Sequence, residues 1–148
     1  MSLRGDTARL EYVIKLIDDI HVIIERHGDT ASALKDTEGY HALMMCLTQI
    51  GETLNSIKDE EMRKALPVSL AYGFRNVIAH NYLGVNSQVV ITTIDDDLPG
   101  LKSLYWIYYR NQPDNRPPEV DTTVRYLSCN HKFVYSERSR GSAKPLWR

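Results

Sequence analysis

Cysteine is scarce in this chain, with two in 148 residues, Cys46 and Cys129, in unlike surroundings. So low a count argues against a disulfide framework and suits a reducing cytoplasm. No apolar run approaches the roughly 20 residues that cross a bilayer. The opening Met-Ser-Leu-Arg-Gly-Asp lacks the apolar centre of a secretion signal, so a cytoplasmic location is expected. There is no glycine-rich phosphate loop and no Ser/His/Asp set. Cys129-Asn-His131 is a lone pair without zinc spacing, so neither a metal nor a cofactor is expected.

What is present is the composition of an ordinary globular domain, 43% hydrophobic and 25% charged. The length allows one domain with a proper core and is too short for two comfortable ones. The net charge of −1 gives no bulk attraction for a polyanion, yet the charge is unevenly placed. Up to Arg110 there are 11 Lys+Arg against 15 Asp+Glu, and from Asn111 onward 7 against 4. A basic tail on an acidic body is compatible with contact to nucleic acid, and equally with a merely solvated tail.

Leu10, Val13, Ile14, Ile17, Ile20, His21 and Ile24 recur at helical spacing, with Asp6 as a candidate N-cap and Gly28 as a stop. A second helix is expected over residues 39–57, with Tyr40, Leu43, Met44, Leu47, Ile50, Leu54 and Ile57 on one face. Residues 29–38 between them carry Asp29, Thr30, Ser32 and Asp36, the chemistry of a connection and a new cap. Residues 58–66 read as a brief helix closed by Pro67, and Ser69 is a candidate cap for a helix ending near Gly84. From Ser87 the run Val89-Val90-Ile91-Thr92-Thr93 has strand propensity. The longer period through Tyr108 decides for helix, with Pro99 a kink or break.

The expectation is therefore an all-α protein, an antiparallel bundle of four to five helices over residues 1–110. Residues 111–148 form a C-terminal extension of unassigned role. It opens on the helix-breaking Asn-Gln-Pro-Asp-Asn-Arg-Pro-Pro and is irregular, or pairs as a short β-hairpin.

The chemistry concentrates in Tyr72-Gly-Phe-Arg-Asn-Val-Ile-Ala-His-Asn-Tyr82, where Arg75 and His80 stand five apart. RNA cleavage without a metal needs a base for the ribose 2′-hydroxyl, a cation for the charge gathering on the phosphoryl oxygens, and an acid for the departing 5′-oxygen. Imidazole accepts and returns protons near neutrality. Guanidinium supplies permanent charge in a planar fork that fits phosphate oxygens. Five residues of ideal helix, however, separate two side chains by roughly 140°. Convergence then requires Arg75 to reach around, the helix to distort, or two copies to share a cleft holding both pairs. By spacing alone Arg-x4-His is a weak signal, because a histidine near a helix C-terminus commonly complements the dipole.

Three blocks sharpen the reading: Thr48-Gln-Ile-Gly-Glu-Thr-Leu-Asn55, Gly73-Phe-Arg-Asn-Val-Ile-Ala-His-Asn-Tyr-Leu-Gly-Val85 and Asp97-Leu-Pro-Gly-Leu-Lys102. In this order and approximate spacing they resemble the HepT-like members of the HEPN superfamily, over about residues 8–108. Arg75, His80 and Tyr82 match the family's Arg-x4-His-x-Tyr signature. The resemblance implies a HEPN-like bundle that forms a homodimer and serves as the endoribonuclease toxin of a HepT–MntA toxin–antitoxin pair, cutting mRNA or tRNA without a metal. It implies as partner a minimal nucleotidyltransferase antitoxin, MntA-like, that adds AMP to Tyr82. Asn76 matches the polar residue beside the family arginine. Glu52 matches the Gly-Glu element and is expected to support Arg75 from the second helix. The rival reading is a non-catalytic helical subunit that binds a minimal nucleotidyltransferase, in which Arg75 and His80 bind ligand or hold structure. A module freed of catalysis would have no need of all three signature residues.

Other features take blander readings. His21 falls on the apolar stripe and reads as a hydrogen-bonded core histidine. Asp95-Asp96-Asp97 reads as a solvated acidic face or the carboxylates of a new helix start. Tyr105, Trp106, Tyr108 and Tyr109 can stack on bases, but their helical spacing favours core and dimer packing. Gly73 is expected to permit close helix approach.

Overall fold

A computed structural model describes residues 3–110. Seven α-helices follow one another: α1 (Leu3–His27), α2 (Thr30–Lys35), α3 (Thr37–Asn55), α4 (Glu60–Ala65), α5 (Val68–His80), α6 (Ser87–Thr92) and α7 (Leu98–Arg110). A 3-10 turn, Tyr82–Gly84, follows α5, and a π-helical segment, Thr93–Asp97, joins α6 to α7. No strand occurs among the described residues, and the four helices of 13 residues or more carry the bundle. The expected all-α bundle is what forms; the expected extension 111–148 lies outside the described residues.

Helix α3 packs against both α1 and α5, while α7 lies on α1. The apolar stripes meet there: Leu10, Val13, Ile17 and Ile20 from α1 and Leu43, Met44, Ile50 and Leu54 from α3 are all almost wholly buried. Each such side chain contributes about 1.5–3 kcal/mol by leaving water. A hydrogen bond from Lys102 Nζ to Asp18 Oδ1, 2.6 Å, ties α7 to α1 at the edge of this core.

Caps explain where the elements stop. Gly28, at φ +94°, takes the left-handed turn that ends α1. Asp29 then accepts from Ser32 N at 2.6 Å and Asp36 from Gly39 N at 2.8 Å, so the expected connection holds two caps with a short helix between them. Asp59 caps α4 through Met62 N.

Three expectations are corrected. Ser69 does not cap α5: the helix starts at Val68, behind Pro67, with no side-chain cap. It also ends at His80 rather than near Gly84, because Asn81 leaves helical geometry (φ −143°, ψ 59°). Asp6 does not cap α1, which already runs from Leu3. Its buried carboxylate instead accepts from Lys58 N (3.1 Å) and Asp59 N (2.8 Å) and pairs with Arg9 Nη1 (2.8 Å), pinning the loop before α4 to α1.

Over residues 87–110 the helical period wins over strand propensity, and the break falls just before Pro99. Proline cannot donate to the carbonyl four residues back, and its ring crowds it. The π-helical widening at Thr93–Asp97 accommodates this, and Pro99 sits in the first turn of α7, where its missing N–H costs nothing. Asp95, Asp96 and Asp97 are exposed, as the acidic-face reading requires. Asp95 Oδ1 accepts from the buried Thr30 hydroxyl at 2.8 Å, which anchors the segment to α2.

Asp6 gives the fold a testable acid response. Burial alone would raise its pKa. The two backbone N–H groups and Arg9 outweigh that and hold it below the ordinary 3.8. A depressed folded-state pKa stabilises above the unfolded value and is lost as pH falls through the folded one. Wild-type Tm is therefore expected to drop on acidification below about pH 4. Asp6→Asn should lie about 1–3 kcal/mol lower at neutral pH and show a flatter acid limb. Parallel acid limbs for the two proteins would refute the assignment.

Candidate functional site

The approach of α3 to α5 sets the first half of the site. Gly51 is buried at the crossing, and a Cβ there would stand 2.6 Å from both the Ala71 carbonyl oxygen and Arg75 Cβ. Close helix approach thus belongs to Gly51. The expectation placed it at Gly73, which is exposed and has no neighbour within 4 Å of where a Cβ would lie.

The contact at Gly51 brings the next residue, Glu52, onto Arg75. Its Oε1 forms an ion pair with Arg75 Nε. The Nε–H is not aligned on a hydrogen-bond acceptor, so the pairing is one of charges in contact. Arg75 Nη1 donates to Asn76 Oδ1 at 3.1 Å, and its Cζ lies 5.8 Å from the centre of the Tyr72 ring. The guanidinium is therefore oriented from three sides while still half-buried. With five N–H donors, the fork has room for phosphate oxygens besides. Glu52 also lines an open groove of about 510 Å³ between α1 and α3, with Arg9, Tyr12 and Gln49 on its walls.

His80 is the last residue of α5 and is exposed. The helix is regular from Val68 through His80, so no distortion turns His80 toward Arg75. Among the described residues, no hydrogen bond or ion pair joins the two. Helical projection puts His80 close to the line of Leu70, Gly73 and Val77. All four are exposed, with Leu70 79% and Val77 52% accessible.

Tyr82 begins the 3-10 turn beyond α5. Its hydroxyl lies 2.9 Å from His41 Nδ1, and the two rings stack 5.6 Å apart at 13°. Tyr40 meets the Tyr82 ring edge-on at 5.8 Å and donates its hydroxyl to the Tyr82 carbonyl. Burial, with Tyr82 beside it, pushes the Tyr40 phenol up and keeps it a donor. Sequence reasoning missed this partnership. Tyr40 and His41 stand on α3 some 41 residues from Tyr82, and no local pattern connects them.

The remaining candidates separate cleanly. His21 is exposed, which corrects its reading as a core histidine: it borders the apolar stripe without entering the core. His27 is structural, holding the Ile23 carbonyl and Asp36 at the turn into α2 and α3. Tyr105 is core, its phenol pushed up to about 12 by burial, whereas Trp106 is 46% exposed. Cys46 is buried with no disulfide, and burial raises its thiol pKa. None of the described helices is long and apolar enough to cross a membrane.

Fold and site together define an all-α bundle that presents a braced arginine, a histidine at a helix end and an accessible tyrosine two residues beyond it. The family described as ribonuclease HepT-like matches residues 13–105, and the chain belongs to that family. Comparison with curated proteins and with solved structures gives no significant match.

Proposed function

We propose that the chain is the endoribonuclease toxin of a HEPN–nucleotidyltransferase toxin–antitoxin pair, cleaving mRNA or tRNA without a metal through Arg75 and His80. The observation that carries this reading is the braced guanidinium of Arg75, one helix and five residues from an exposed imidazole. The family supplies the class of chemistry. The 2′-oxygen attacks the adjacent phosphorus as its proton passes to His80, Arg75 neutralises the charge on the phosphoryl oxygens, and the 5′-oxygen leaves with a proton. Glu52 and Asn76 position the arginine.

Because α5 is regular through His80, one protomer offers Arg75 and His80 on faces roughly 140° apart. A homodimer that sets the exposed His80 end of one α5 beside the Arg75 face of the other resolves this. One copy's imidazole then meets the other's guanidinium, takes the 2′-hydroxyl proton and returns it to the departing 5′-oxygen. Tyr82, on the same end of α5, is the residue to which an MntA-like antitoxin adds AMP. The added phosphate and bulk would compete there with RNA.

The purified protein is expected to cut RNA in the presence of a chelator, leaving 2′,3′-cyclic phosphate and 5′-hydroxyl ends, as attack by the 2′-oxygen demands. Loss of cleavage on chelation, restored by a divalent cation, or 3′-hydroxyl ends, would overturn the mechanism.

A further inference from the structure

We propose that His41 is the catalytic base for nucleotidyl transfer onto Tyr82, taking the phenolic proton as the oxygen attacks. The inference rests on the reading of Tyr82 as the modified residue and adds to it the group that makes this phenol reactive.

A phenol is a poor nucleophile until its proton has somewhere to go, and a base must stand within hydrogen-bond reach of it. His41 Nδ1 is 2.9 Å from the Tyr82 hydroxyl, and in the tautomer with hydrogen on Nε2 it accepts that hydrogen bond. The stacked rings, 5.6 Å apart, and the edge-on Tyr40 restrict rotation of Tyr82, so the pairing is held from two sides. The site is open to an incoming reagent. Tyr82 is 36% exposed, and beside it His41 and Tyr40, with Leu34 and Leu83, line a cavity of about 250 Å³ whose wall also carries Lys35 and Asp36. His80 and Arg75, assigned to RNA, make no hydrogen bond to this hydroxyl, so the base for Tyr82 is a different histidine from the one that works on RNA.

The step balances with a nucleoside triphosphate held by the partner nucleotidyltransferase. Tyr82 Oη forms a bond to the α-phosphorus, the bond from that phosphorus to the bridging oxygen breaks, and pyrophosphate leaves with the electron pair. The phenolic proton passes to His41 Nδ1 and from there to water.

The test is the initial rate of AMP incorporation into the full chain by its partner nucleotidyltransferase at saturating ATP. The modified residue is mapped by mass spectrometry, and Tyr82→Phe serves as the blank. His41→Ala and His41→Gln should both slow transfer about 100-fold or more, and free imidazole should restore part of the rate to His41→Ala. Glutamine retains a hydrogen-bonding group beside the phenol but takes no proton, so wild-type speed in His41→Gln would overturn the base assignment. So would wild-type speed in His41→Ala with AMP still on Tyr82; in both cases the Tyr82 reading survives. Absence of AMP from wild-type Tyr82, or its presence elsewhere, would overturn that reading and this inference together. Thermal melting of each variant confirms that folded protein is being compared.

Discussion

Alanine at His80 is expected to lower RNA cleavage about 100- to 10,000-fold, the usual worth of a positioned proton-transfer group. The same substitution should leave the melting temperature nearly untouched, within about 0.5 kcal/mol in stability, because the side chain is exposed at the end of α5. Arg75→Ala should abolish cleavage comparably, but it also strands Glu52 without its cation and so costs stability as well. Mixing the two dead variants tests whether the cleft is shared. In a mixed dimer one composite site regains an intact arginine from one protomer and an intact histidine from the other. Random exchange should therefore restore roughly a quarter of wild-type activity. Full activity in His80→Ala would remove the imidazole from the mechanism, and no recovery on mixing would place both groups in one protomer.

The second large effect falls on a residue with no side chain. Gly51→Ala places a methyl 2.6 Å from a backbone carbonyl and from Arg75 Cβ, distances that only separation of α3 and α5 relieves. Overpacking of this kind costs about 1–3 kcal/mol, or roughly 4–10 °C in Tm for a chain of this size. Moving the helices apart also pulls Glu52 from Arg75, so cleavage should fall alongside stability. Gly73→Ala is the control: an exposed helical glycine with open space around it should gain about 0.5–1 kcal/mol of helix stability in the monomer. Equal damage from both substitutions would contradict the crossing.

That contrast between two glycines shows how far the residues speak for themselves. The helices were legible because apolar positions such as Leu10, Val13, Ile17 and Ile20 repeat at the period of a helix, and because Gly28 and the Asp29 and Asp36 caps act within a few residues. Arg75, His80 and Tyr82 stand within about two turns of each other around the end of α5, but they were legible as a set only through their likeness to the family signature, since Arg-x4-His is a weak signal by spacing alone. Glu52 drew notice only through the block around it, since nothing local says which helix it will face.

By itself, then, the order of residues determined the all-helical class, the helix over residues 87–110 against its strand propensity, and the stretch of chain that we propose carries the chemistry. Tertiary structure alone decided that Gly51 rather than Gly73 is the crossing point, that Asp6 serves the loop before α4 instead of its own helix, and that His41 meets Tyr82 across 41 residues. The physical reason is range. Periodicity, capping and propensity are interactions over one to four residues and are written along the chain. Which side chains meet across helices depends on how whole apolar faces interlock, and that is settled only once the bundle has closed.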